Sequence, residues 1–242
     1  MKVFINDTPI KAKLWIFDKD GTLVSLDGWA RIMDKRLKLI KQKYGDHAME
    51  MVKPVLGFKG GKFDIKHILY TTRDETSREC AKILKRPQSE ILSIFKEADK
   101  ILNHGVFTPI KGAKRVLSML YKSFNVVILT NDLEKRTSKI LNDMDIPYHQ
   151  VVGADTFGYH KPDPRLVFEI MKVFGIKNIK DVVIVGDSGH DIETGRKAGA
   201  ISIGVLSGVE DKDGLKDADF IIGSVNDIKI KEVINESAKK YF

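Results

Sequence analysis

Short apolar runs, each followed by a polar turn, recur along most of the chain. They contain three to five residues and are rich in β-branched side chains, which is typical of strands buried on both faces of a sheet. We predict such strands at Lys13–Phe17, Val126–Leu129, Val182–Val185, Ile201–Val205 and Phe220–Ile222.

The stretches between these runs carry apolar residues at helical spacing. We predict helices at Lys111–Phe124, Glu134–Met144, Arg165–Phe174 and Asp191–Ala198, and a closing helix at Asp227–Lys239. Strands that alternate with helices indicate a parallel sheet covered on both faces. The predicted fold class is therefore a doubly wound, Rossmann-like α/β fold, in which ligands bind at the carboxyl ends of the strands.

The segment after the first strand breaks this alternation. Between Val24 and Gly105 apolar residues recur at steps of three or four, and no buried strand is evident. A stretch of that length is too long for a loop in a compact domain. We predict an all-helical second domain over residues 25–105, inserted into a discontinuous core made of residues 1–24 and 106–242.

Two carboxylates follow the first predicted strand, in the run Asp18-Lys19-Asp20-Gly21-Thr22. Side chains two residues apart in an extended chain point the same way, so the carboxylates of Asp18 and Asp20 repel each other. A hard divalent cation with oxygen ligands relieves such repulsion. The run therefore predicts a metal site rather than an ordinary surface loop.

Three further segments follow predicted strands or precede a helix. The second strand ends in Thr130-Asn131, whose hydroxyl and backbone N–H can bind phosphate oxygens, although a threonine there can equally cap a helix. Lys161 is held by neighbouring prolines in an extended segment, where its ammonium can stabilise a phosphoryl group. The third strand ends in Gly186-Asp187-Ser188-Gly189-His190-Asp191, which supplies two more carboxylates.

Composition narrows the class of partner. Lys and Arg number 41 against 33 Asp and Glu, a net charge of +8, but the basic residues are spread along the chain. We therefore expect a small anionic ligand and no nucleic-acid partner. Apolar runs are too short to span a membrane, and the single cysteine, Cys80, favours a reducing compartment. We expect a cytoplasmic protein with no membrane partner, whereas the sequence carries no signal of oligomeric state.

In this order, the four segments resemble the motifs of the haloacid dehalogenase (HAD) superfamily, and the insert resembles the helical C1-type cap of its phosphoglycolate-phosphatase-like branch. The resemblance implies Asp18 as nucleophile and Asp20 as general acid and base. It implies that Thr130 binds the phosphoryl group and that Lys161 stabilises both this group and the nucleophile. It also implies Mg²⁺ as cofactor, bound by Asp18, the backbone carbonyl of Asp20 and Asp187, with Asp191 supporting the site.

The function implied is a magnesium-dependent phosphatase that hydrolyses a small phosphate monoester through a phospho-aspartate. The ester would be phosphoglycolate-like, a sugar phosphate or a nucleotide. We expect the core to bind it through Thr130, Asn131 and Lys161, and the insert through Lys59, Lys62 and Arg73. A phosphosugar mutase of the same superfamily, a phosphorylation-controlled signalling module and a binding protein that has lost catalysis remain alternatives.

Overall fold

The computed structural model describes residues 1–101 and 105–232. The chain forms two compact units, Met1–Ser25 with Pro109–Phe242, and Leu26–Thr108. In chain order the strands are β1 Lys2–Ile5, β2 Thr8–Ile10, β3 Leu14–Phe17, β4 Phe58–Lys59, β5 Lys62–Phe63, β6 Asn125–Leu129, β7 Gln150–Val152, β8 Val182–Gly186, β9 Ile201–Val205, β10 Phe220–Ile222 and β11 Lys229–Lys231. The α-helices are α1 Asp27–Val52, α2 Ile65–Tyr70, α3 Arg73–Leu84, α4 Gln88–Asp99, α5 Ala113–Tyr121, α6 Glu134–Asp143, α7 Arg165–Val173 and α8 Gly189–Ala198.

A six-stranded parallel sheet forms the core of the first unit, in the order β10-β9-β8-β3-β6-β7. Its central strands are buried along their whole length because nearly every residue in them is apolar. All five predicted strands are present, which confirms the doubly wound α/β fold. The edge strand β7 was not predicted because only three residues of it pair with β6.

The register of the sheet brings three loops together. Phe17 at the end of β3 lies opposite Ile128 on β6 and Val185 on β8. Since the three strands run in parallel, the segments that follow them leave the same edge of the sheet side by side. Any chemistry carried by those segments is therefore concentrated at one place.

A second, antiparallel sheet was not predicted. It has the order β11-β1-β2, with Val3 paired to Ile230 and to Ile10. The predicted closing helix at Asp227–Lys239 is wrong over its described part, because Lys229–Lys231 is the strand β11. The alternation Lys-Ile-Lys in that strand suits a half-exposed edge strand better than a helix. Residues 233–239 of the prediction lie outside the described residues.

The second unit is the helical insert between β3 and β6. The long helix α1 is interrupted at Gly45, which has a φ of 87°. α3 begins with a capping box in which Thr72 and Glu75 exchange hydrogen bonds, and α4 begins after Pro87. The unit also holds a hairpin of two-residue strands, β4 and β5, which helical periodicity did not predict. Within residues 1–101 and 105–232, no helix is both long and apolar enough to cross a membrane.

Candidate active site

Three carboxylates meet beyond the carboxyl ends of β3 and β8. Asp18 directly follows β3, Asp187 directly follows β8, and Asp191 lies in the first turn of α8. One oxygen from each lies within 4.8 Å of the other two, and all three residues are buried. The sheet thus brings together residues up to 173 positions apart in the sequence.

The ammonium of Lys161 lies against this cluster. Its Nζ atom donates to Oδ1 of Asp18 at 2.5 Å and to Oδ1 of Asp191 at 2.7 Å. The other oxygen of Asp191 accepts hydrogen bonds from the backbone N–H and the hydroxyl of Ser188, at 3.1 and 2.5 Å. Both oxygens of Asp191 are therefore held in place, and so is the lysine that contacts Asp18.

Burial shifts the protonation of the cluster strongly. It raises the pKa of Asp18 to about 7, although the ammonium of Lys161 opposes the shift. It raises the pKa of Asp187 to about 9, and the negative charges of Asp18 and Asp191 add to the effect. Burial would lower the pKa of Lys161, but its two carboxylate partners outweigh it and the pKa is raised. Protons are retained because too many negative charges are buried together.

The charge count fits a divalent cation. Three ionised carboxylates set against the one ammonium of Lys161 leave two negative charges. Carboxylate oxygens are the ligands that Mg²⁺ prefers, and a charge of +2 balances the cluster. Asp18, Asp187 and Asp191 therefore fit a magnesium site.

The loop after β9 fixes the orientation of Asp187. The backbone N–H of Val209 donates to its Oδ2 at 2.8 Å. Gly21 and Gly208 pack against the same carboxylate, and the Ser207 hydroxyl donates to the Gly21 carbonyl at 2.7 Å. Sequence reasoning did not single out this loop, because the contact to Asp187 comes from a backbone N–H, which leaves no signal in the residue types.

The residues after β6 have roles that the sequence left open. Thr130 is buried, and its Oγ1 accepts from the backbone N–H of Asp132 at 3.1 Å. It does not cap α6, because the N-cap residue of that helix is Leu133. The N–H of Glu134, the first residue of α6, donates to Oδ1 of Asp155. The side chain of Asn131 bonds the backbone of Lys161 twice, accepting from its N–H at 3.0 Å and donating to its carbonyl at 3.4 Å.

A second buried lysine, Lys19, contacts the carboxylate of Asp20. The Nζ atom of Lys19 is 3.0 Å from Oδ2 of Asp20 and 3.0 Å from Oδ2 of Asp132. The carboxylate of Asp132 also pairs with Arg136 at 3.3 Å. Burial alone would lower the pKa of Lys19, but Asp132 and Asp20 outweigh it and raise it. Sequence reasoning missed Lys19, Asp132 and Arg136; the one signal available was a lysine between two acidic residues.

The predicted substrate ligands of the insert lie on the β4–β5 hairpin and on α3. Lys59 and Lys62 are exposed and oppose each other across the β4–β5 hairpin. Arg73, at the start of α3, pairs with Asp99 of α4 at 3.2 Å, and Asp99 also pairs with the buried Arg36 at 3.0 Å. Binding of substrate by these three residues stays a prediction.

Known proteins resemble this chain in sequence and fold. A family model described as "Haloacid dehalogenase-like hydrolase" matches residues 15–205. The chain is 29% identical over 191 residues to a phosphoglycolate phosphatase of Aquifex aeolicus (strain VF5), covering 76% of this chain and 80% of that protein. It is 28% identical over 200 residues to a phosphoglycolate phosphatase of Pseudomonas fluorescens (strain Pf0-1), covering 81% and 70%. The crystal structure of a predicted phosphoglycolate phosphatase from Haemophilus somnus 129PT has the same fold, with a TM-score of 0.68 at 20% identity over 90% of this chain and 96% of that one.

Proposed function

The chain belongs to the haloacid dehalogenase-like hydrolase family and is distantly related to phosphoglycolate phosphatases, and from that premise we propose that it hydrolyses small phosphate monoesters through a phospho-aspartate on Asp18. The observation that carries the proposal is the contact between Asp18 and Lys161 beside Asp187 and Asp191. A carboxylate nucleophile next to a fixed ammonium is what an anionic phosphoryl group requires.

The reaction then has two displacements. In the first, an oxygen of Asp18 attacks phosphorus, the bond from phosphorus to the ester oxygen breaks, and Asp20 gives a proton to the departing alkoxide. In the second, Asp20 takes a proton from water, the water oxygen attacks phosphorus, and the bond from phosphorus to Asp18 breaks. Phosphate leaves, and Asp18 returns to its starting form.

The remaining polar groups serve binding and charge balance. Lys161 offsets the repulsion between Asp18 and the phosphate, and Thr130 and Asn131 stay predicted ligands of the phosphoryl group. Asp18, Asp187 and Asp191 would hold Mg²⁺, together with the backbone carbonyl of Asp20. When bound, Mg²⁺ supplies positive charge to the phosphoryl oxygens during transfer.

For the substrate we propose a small metabolite with one phosphate monoester, phosphoglycolate first. The support is that the relatives named above are phosphoglycolate phosphatases and span most of this chain. Sugar phosphates and nucleoside monophosphates are the other classes to assay.

The test is substitution of the nucleophile. Phosphate release is measured from a panel of these esters with Mg²⁺ present, first for the wild-type protein and then for Asp18→Asn. We expect the variant to lose activity by about a thousandfold or more, because an amide cannot form the acyl phosphate. The control is Asp143→Asn, which changes an exposed carboxylate of α6 that pairs with Lys139 and should leave the rate unchanged.

Two results would count against the proposal. An Asp18→Asn variant that keeps a large part of the wild-type rate would exclude Asp18 as nucleophile. A wild-type protein that moves phosphate between sugar positions, and releases phosphate only slowly, would instead be a mutase.

A further inference from the structure

Lys19 is the most deeply buried cation beside the proposed catalytic carboxylates, with no exposed surface. We propose that it positions the carboxylate of Asp20 for proton transfer, as the buried centre of a chain of alternating charges, Asp20–Lys19–Asp132–Arg136. This role rests on the proposed function, in which Asp20 is the general acid and base.

The contacts of Lys19 leave its ammonium little freedom. Its Nζ atom reaches Oδ2 of Asp20 and Oδ2 of Asp132, each at 3.0 Å. An ammonium without solvent is costly unless carboxylates or other acceptors surround it. Lys19 therefore keeps both partners, and each partner is held by it in return.

Asp132 anchors the chain of charges to the start of α6. Its Oδ1 accepts from the backbone N–H of Leu133 at 2.8 Å and pairs with Arg136 at 3.3 Å, while its Oδ2 pairs with Lys19. Because Asp132 follows β6 and Lys19 follows β3, the chain joins the loops of two adjacent strands. The position of Asp20 is thereby fixed relative to Thr130 as well as to Asp18.

The two buried lysines serve different carboxylates. Lys161 contacts Asp18 and Asp191, whereas Lys19 contacts Asp20 and Asp132. Asp20 thus has a cationic partner of its own, apart from the cluster of Asp18, Asp187 and Asp191. A general acid must lie within hydrogen-bond reach of the leaving oxygen, so a fixed carboxylic acid group protonates that oxygen more effectively than one free to rotate.

Comparing esters with different leaving groups distinguishes a positioning role of Lys19 from a role in protein stability alone. An alkoxide needs a proton as it departs, while p-nitrophenolate is stable enough to leave without one. The value of kcat/KM reports the first displacement, in which the leaving group departs. We expect Lys19→Met to lower kcat/KM for an alkyl phosphate at least about tenfold more than for p-nitrophenyl phosphate. Equal losses for the two esters would overturn the positioning role.

A charge-balanced variant covers the case in which Lys19→Met does not fold. Lys19→Met with Asp132→Asn removes one charge of each sign, so the chain of charges stays neutral. We expect its melting temperature to recover toward wild type, whereas the selective loss on the alkyl phosphate persists. Recovery of both stability and alkyl-phosphate activity would show that Lys19 only balances Asp132, and would overturn the proposal.

The matched control is Lys13→Met at the other end of β3. Lys13 also pairs with an aspartate, Asp181, at 2.7 Å, but it is exposed. We expect that variant to treat the two esters as the wild type does. A wild-type protein that hydrolyses neither ester would overturn the proposed function and this role with it, whereas an active wild type with equal losses in Lys19→Met overturns only the role of Lys19.

Discussion

The orientation of Asp187 depends on two residues that have no side chain. A Cβ atom added at Gly208 would lie 1.8 Å from Oδ2 of Asp187, and one added at Gly21 would lie 2.2 Å from it. Gly21 also has a φ of 76°, which residues with a side chain rarely adopt. The carboxylate cannot keep its place if either glycine gains a methyl group.

Gly208→Ala should therefore weaken magnesium binding. The new methyl group would push the Asp187 carboxylate out of the cluster, so we expect the Mg²⁺ concentration needed for half-maximal activity to rise by about ten- to a hundredfold. The measurement is a Mg²⁺ titration of phosphate release. Gly189→Ala is the control, since the nearest atom to its added Cβ is 3.9 Å away. A Gly208→Ala variant with the wild-type Mg²⁺ requirement would show that the loop yields without disturbing Asp187.

Single residues differ in how far their place can be predicted. Asp18 and Asp187 were singled out because they follow apolar strands, and Lys161 because neighbouring prolines hold it in an extended segment. The structure brings the three together. Lys19 lies between two acidic residues, where strand alternation points it away from them. Its long side chain nevertheless folds back to Asp20. The bonds from Asn131 to the backbone of Lys161 join residues 30 positions apart and leave no pattern in the sequence.

Strands are predictable to the extent that they are buried on both faces. β3, β6 and β8 are almost wholly apolar, and the sequence located each of them. β1, β2 and β11 are only partly buried and three or four residues long, so the apolar pattern of each is too short to identify a strand. The closing helix was predicted wrongly for the same reason, since alternation over Lys229–Lys231 is too short to outweigh the surrounding helix formers.

The overlooked sheet should matter for stability. Ile5 of β1 has no exposed surface, so Ile5→Ala removes buried methyl groups and leaves a cavity. We expect a loss of about 2–5 kcal/mol in the free energy of unfolding, measured by urea denaturation. Thr8→Ala, at an exposed position of β2, should change it by less than about 0.5 kcal/mol. An unchanged urea midpoint for Ile5→Ala would mean that β1 is not part of the cooperative fold.

On the scale of the whole molecule, a chain with a net positive charge contains a concentrated negative cluster. The chain carries a net charge of +8, yet Asp18, Asp187 and Asp191 collect at one edge of its sheet. The surplus of Lys and Arg favours approach of an anionic ester, but the cluster repels its phosphate at close range. Either protons or a bound cation can balance these carboxylates, and this competition couples metal binding to the protonation of the native state.

The protonation of the cluster determines how the stability of the metal-free protein changes with pH. The pKa values of Asp187 and Asp18 are raised from an ordinary 3.8 to about 9 and about 7. From about pH 3.8 up to about pH 9, the native state holds protons that the unfolded chain releases. The free energy of unfolding of the metal-free protein therefore falls as pH rises through this range. The raised pKa of Lys161 affects stability only above pH 10.5, the ordinary pKa of a lysine, and so outside this range.

Mg²⁺ should therefore stabilise the protein more in alkaline than in acidic solution. Metal ligands must lose their protons, so protons compete with Mg²⁺ at low pH. We expect the rise in melting temperature on adding Mg²⁺ to chelator-treated protein to be clearly larger at about pH 8.5 than at about pH 5.5. A Mg²⁺ concentration of 100 times Kd adds about 2.7 kcal/mol to the free energy of unfolding. Asp187→Asn should lose most of this gain, because it removes a ligand together with its titrating proton. An equal rise at both pH values would mean that the ion binds away from these buried carboxylates.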